Sequence, residues 1–92
     1  MNASRLLARI KRRIARNKSY PPAAKRRRIQ GTVRVSFTIT RRGGVRGIRV
    51  SGPRLFAASA KSAVRRAFPI DVSRASFPLP KRMSVTLRYR LR

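Results

Sequence analysis

From Gly31 to Thr40 the chain reads GTVRVSFTIT, and its period of two constrains the fold more than any other feature. Val33, Val35, Phe37 and Ile39 fall on one side of an extended chain, while Thr32, Arg34, Ser36, Thr38 and Thr40 fall on the other. Such alternation fits a strand buried on one face only. The same pattern recurs near the end, where Met83, Val85, Leu87, Tyr89 and Leu91 alternate with Ser84, Thr86, Arg88 and Arg90. Between the two, Gly43 and Gly44 supply a turn that requires positive φ, and VRGIRV returns as another strand with Ile48 and Val50 inward. Val45 is out of phase with that pair, so Gly47 marks a bulge. No Walker or dinucleotide fingerprint surrounds the glycines, which therefore read as a hairpin turn and not as a phosphate loop.

Helices flank these strands. Leu6, Leu7, Ile10 and Ile14 form one stripe of an N-terminal helix that Asn2 or Ser4 could cap, with basic faces elsewhere. The simplest reading packs that stripe on the rest of the chain; the sharper alternative lays it on an anionic membrane. Pro21 and Pro22 end the helix, and PPAAKRRR can start a short helical turn, since proline is tolerated there. After Gly52 and Pro53, Phe56, Ala60, Ala63, Val64 and Ala67 share one helical face that stops before Pro69. Residues 70–82, with Pro78 and Pro80, are irregular.

The order is therefore helix, strand, strand, helix, strand. A tight turn makes the first two strands antiparallel, and a returning helix places the third beside the first, giving the order 2-1-3. The expected fold is α+β in two layers, a three-stranded antiparallel sheet against helices. Residues 1–92 are expected to form one domain, with an N-terminal amphipathic helix over 1–19 and a sheet–helix core over 20–92. The closing strand then lies at a sheet edge, where unpaired backbone groups must be defended or used.

Composition narrows what such a fold can do. A chain of 92 residues buries only about 60–65% of its unfolded surface, yet 41% hydrophobic residues suffice for a core. Neither cysteine nor histidine occurs, and Asp71 is the sole acidic side chain. Disulfides, acid/base pairs, Ser-His-Asp triads and ordinary zinc or calcium sites cannot be assembled from this set. No enzyme and no cofactor is expected. No apolar run reaches the roughly 20 residues of a membrane span.

Charge is the anomaly: 26 Lys plus Arg against one acid gives a formal +25. Cations this dense repel one another, so salt should favour folding. They would attract nucleic acid, anionic lipid or any other polyanion alike. Lys25, Arg26, Arg27 and Arg28 read as a solvated face of the short helical turn or as polyanion contacts. Phe37 and Tyr89 share the buried phase, leaving no aromatic platform on the open sheet face for stacking bases, which argues against nucleic acid as a specific partner.

The segments RNKSYPPAAKRRRIQGTVRVSFTITRRGGVRGIRVSG, AVRRAFP and FPLPKRMSVTLRYRL resemble the C-terminal domain of the TonB family. The shared features are Tyr20-Pro21, Ala24, Gly31 with Val33, Val35 and Phe37, the Gly44-Val45 hairpin, Ile48 and Val50, Ser51-Gly52 and the alternating final strand, over roughly residues 16–91. The resemblance implies a periplasmic domain of an inner-membrane-anchored protein. It would be joined through a proline-rich spacer and an anchor outside this chain to a proton-driven motor of the ExbB and ExbD type. The implied partners are TonB-dependent outer-membrane transporters, which import siderophores, vitamins or metal complexes and offer a short TonB box for strand addition. Carried onto this sequence, partner pairing falls on Ser84, Val85, Thr86, Leu87, Arg88, Tyr89 and Arg90, with further contacts at Asn17, Tyr20 and Pro21; Tyr20 is equally a packing candidate. Arg42 stands where the family usually has an acid in the hairpin turn, and Ala57 and Ser62 replace acids common on the second helix. The emptied acidic positions add contacts with anionic cell wall or lipopolysaccharide as a side expectation. They also keep open a polyanion-binding or nucleic-acid module, or a charge-redesigned TonB-like scaffold.

Overall fold

In the computed structural model, which describes residues 3–91, the chain forms helix α1 (Ala3–Asn17), a short helix α2 (Pro22–Arg26), strands β1 (Gly31–Ile39) and β2 (Val45–Ser51), helix α3 (Ala57–Ala67) and strand β3 (Lys81–Tyr89). A single 3₁₀ turn, Arg54–Phe56, leads into α3. The sheet is antiparallel with β1 in the middle, in the order β2-β1-β3, as the connections predict. Two ends shift from the sequence reading: β3 begins at Lys81 and stops at Tyr89, which leaves Arg90 and Leu91 beyond the strand.

The stripe on α1 is used up by the fold. Leu6, Ile10 and Ile14 are 1%, 0% and 0% exposed, each burial contributing about 1.5–3 kcal/mol by area. Among the described residues no large hydrophobic side chain is left exposed. Leu7 is half-buried against the same core, so α1 presents no apolar stripe outward and the packing reading is preferred to the membrane-lying one. Ser4 does not cap the helix, because α1 already includes it; Asn2 lies outside the described residues. At the other end the Asn17 side-chain amide donates to the Arg13 carbonyl at 2.8 Å, a bond within the last turn of the helix. Arg13 reaches across to donate from Nε to the Ala67 carbonyl at 2.7 Å, tying α1 to the end of α3.

α3 presents Ala60, Ala63, Val64 and Ala67 to the sheet, all fully buried. Their small volume lets the helix approach Val33, Val35, Phe37 and Ile39 of β1 closely. Phe68 closes this side, edge-on to Phe37 at 5.6 Å between ring centroids. Tyr20, Phe56 and Tyr89 form a second aromatic group. Phe56 stacks on Tyr89 at 4.4 Å, and Tyr20 meets both edge-on, at 5.8 and 5.7 Å. The Tyr20 hydroxyl donates to the Ile29 carbonyl, so SYPP turns the chain into the sheet by anchoring a ring beneath β1 and β3.

At the hairpin Gly43 alone adopts positive φ, 85°; Gly44 lies outside the left-handed region, so one glycine and not two makes the turn. A side chain at Gly43 would also bring a Cβ within 2.0 Å of the Ile70 carbonyl oxygen, and the Ile70 amide donates to the Gly43 carbonyl at 2.8 Å. The turn is thereby docked on the segment after α3. Further along, Ser36 pairs with Arg49 but Thr38 pairs with Arg46, so Gly47 and Ile48 oppose Phe37 alone. Gly47 has φ 62°. This is the expected bulge, and it restores Val45 to a half-buried position against the core.

Candidate functional site

Which side of β3 its backbone groups face follows from the hairpin. Thr40 donates to the Gly44 carbonyl and accepts from the Gly43 amide, both at 3.0 Å, so the even-numbered residues of β1 turn their backbone towards β2. The odd-numbered ones turn towards β3. In antiparallel pairing a residue that exchanges both backbone bonds sits opposite another that does the same. Gly31 with Tyr89, Val33 with Leu87, Val35 with Val85, Phe37 with Met83 and Ile39 with Lys81 are thus the bonded pairs. Ser84, Thr86 and Arg88 carry their N–H and C=O groups outward. No strand covers that side of β3 among the described residues.

The open edge is the floor of a groove of 610 Å³ lined by Lys11, Ala15 and Lys18 of α1 and its exit, by Arg34, and by residues 84–88. Lys11, Ala15 and Lys18 recur at i, i+4 and i+7, a single helical face beside the buried stripe. Ala15 keeps the wall low between two ammonium groups. Cations thus line both walls, Lys11 and Lys18 on the helix side and Arg34 and Arg88 on the open face of the sheet. One outward acceptor is already engaged: Lys18 Nζ donates to the Arg88 carbonyl while lying 5.1 Å from the centre of the Tyr89 ring.

The other sequence-derived site residues separate on this geometry. Val85, Leu87 and Tyr89 are in β3 but point their side chains into the core, 3%, 5% and 0% exposed, and turn their backbone groups towards β1, so neither is offered at the outer edge. Arg90 lies past the strand end, in a separate shallow recess with Gln30 and Thr32. Asn17 has its amide committed to Arg13. Tyr20 is a half-buried packing residue and Pro21 precedes α2 as its N-cap. Lys25, Arg26, Arg27 and Arg28 are exposed around the end of α2, and none of them lines the groove.

Sequence reasoning missed Lys11, Ala15, Lys18 and Arg34. Their helical and strand spacing was visible, but only the placement of α1 alongside β3 gives it meaning. On the open face of the sheet Arg82 bridges all three strands, donating from one guanidinium nitrogen to Thr38 Oγ1 and the Gly47 carbonyl, both at 3.1 Å, and from the other to Ser36 Oγ at 3.0 Å. It pins the bulge. Tyr89, at the end of β3, shares a hydroxyl contact of 2.9 Å with Ser59, and burial pushes its phenol above the ordinary 10.0, offset in part by that bond.

Among the described residues no helix is long and apolar enough to cross a membrane, and no group of acidic, histidine or cysteine side chains could hold a metal. The family model for the Gram-negative bacterial TonB protein C-terminal matches residues 16–91. No curated protein and no solved structure matches the chain.

Proposed function

Since the chain belongs to the TonB C-terminal family, a family of non-enzymatic, transport-associated periplasmic interaction domains that act with TonB-dependent transporters, we propose that its work is done at the outer edge of β3. There it binds the TonB-box segment of an outer-membrane transporter as a fourth strand. The observation that carries this reading is the outward set of backbone groups at Ser84, Thr86 and Arg88 above a groove with room for an extended chain. Each added backbone hydrogen bond has a net worth of about 0.5–1.5 kcal/mol. Several loaded together resist a pull while tolerating differences in side-chain sequence. That combination suits a grip through which force from an ExbB- and ExbD-type motor, reached through an anchor outside this chain, drives uptake of siderophores, vitamins or metal complexes.

In this reading the side chains of Asn17, Tyr20 and Pro21 act behind the edge: they end α1, seat the aromatic group and fix where the groove begins. The cations of Lys25–Arg28 and contacts with cell wall or lipopolysaccharide are secondary, because they stand away from the strand edge. Titrating the isotope-labelled protein with a TonB-box peptide tests the proposal. Amide shifts concentrated on residues 84–90 are expected. Shifts spread over Lys25–Arg28, with none along β3, would replace it with polyanion binding.

A further inference from the structure

Lys18 sits where an incoming strand must make a bond. Its ammonium donates to the outward carbonyl of Arg88, one of the acceptors that strand addition requires. It is half-buried and rests over the face of Tyr89, which holds it in place. A docking strand would offer its own amide to Arg88 in exchange. That exchange is close to balanced for the carbonyl, since one donor replaces another. It is unbalanced for Lys18, which is left partly desolvated without its acceptor.

The chain cannot supply a replacement from its own side chains. Its only acidic side chain is Asp71, which lies outside the groove and accepts from the Ser73 amide at 2.9 Å. The other charged residues of the groove, Lys11, Arg34 and Arg88, are all cations. No acidic side chain lines the groove, so a carboxylate for Lys18 is one that the partner brings.

Resting on the strand-addition reading, we propose that Lys18 is a placeholder and selector: it occupies the Arg88 carbonyl in the free protein and, when displaced, pairs with a carboxylate of the docked segment. The partner is then an acidic extended peptide, and Lys18 sets the preference. Side chains of a fourth strand alternate between the two faces, so the carboxylate that meets Lys18 is one pointing towards α1. Acids of the opposite phase meet Arg34 and Arg88 instead.

The test compares a TonB-box peptide bearing a single acidic side chain, in the phase that faces α1, with the same peptide after conversion of that acid to its amide, both titrated against wild type, Lys18→Met, Lys18→Arg and, as a distant control, Lys25→Met. Wild type should bind the acidic peptide about 2- to 5-fold more tightly, the range of a part-exposed ion pair. In Lys18→Met most of that ratio should vanish, and the amide peptide should bind more tightly than to wild type because the competing donor is gone. Lys18→Arg should restore the ratio, and Lys25→Met should leave it alone. A ratio unchanged in Lys18→Met, or an amide peptide that binds Lys18→Met more weakly, overturns the role given to Lys18 while strand addition stands. If neither peptide shifts the amides of residues 84–90 in wild type, the docking edge itself is wrong and the selector falls with it.

Discussion

Replacing Tyr20 separates packing from partner contact. The Tyr20→Phe change removes only the hydroxyl bond to the Ile29 carbonyl, a loss of about 0.5–1.5 kcal/mol. Tyr20→Ala removes in addition two edge-to-face contacts, at 5.8 and 5.7 Å, each worth about 0.5–1.5 kcal/mol. It also opens a void beneath Phe56 and Tyr89. Fully buried aromatic truncations cost about 3–5 kcal/mol; for a half-buried ring the expectation is the low end, about 3 kcal/mol. Urea unfolding followed by circular dichroism reads both losses. With a slope of about 1–3 kcal/mol/M, Tyr20→Ala should lower the midpoint by roughly 1–3 M at unchanged slope. Tyr20→Phe, which stays folded, should bind a TonB-box peptide as wild type does. A loss below about 1 kcal/mol in Tyr20→Ala, together with weakened peptide binding by Tyr20→Phe, would show that the ring is a contact and not a support.

Two further perturbations probe the frame around the groove. Gly43→Ala meets both a left-handed backbone and the Ile70 carbonyl oxygen 2.0 Å from its Cβ, so a stability loss of about 3 kcal/mol or more is expected in thermal unfolding; a shift under 1 °C would contradict the docked turn. Ultraviolet titration of Tyr20→Phe reads Tyr89 alone, and its midpoint should lie above 10.0 because burial disfavours the phenolate. The neutral phenol's contribution to stability is full below pH 10.0, where folded and unfolded chains are both protonated, and is lost as pH rises from there through the raised folded value. A Tyr89 midpoint at or below 10.0 would mean that the ring is solvated.

The period-two segments and glycine positions carried most of the fold. Val33 to Ile39 and Met83 to Tyr89 each declared a buried face, and the connection rule then left one sheet order. The phase slip at Val45 located the bulge at Gly47. Caps and ends were less legible, because Ser4 and Arg90 sit within a residue or two of boundaries that tertiary packing decides. The strand half of the candidate site was readable from Ser84–Arg88. Its helical wall was not: Lys11, Ala15 and Lys18 look like any solvated row until α1 is set against β3, a contact of high sequence separation. Nor could the sequence show that Asn17 is committed to Arg13 while its neighbour Lys18 reaches Arg88.

Amide hydrogen exchange along β3 tests the open edge most directly, because the alternation assigns opposite behaviour to adjacent residues. In the free protein the Ser84, Thr86 and Arg88 amides should exchange fast and those of Val85, Leu87 and Tyr89 slowly; with a TonB-box peptide bound, the even-numbered set should slow to match. Equal protection of both sets in the free protein, or even-numbered amides that stay fast when peptide is bound, would contradict strand addition at β3.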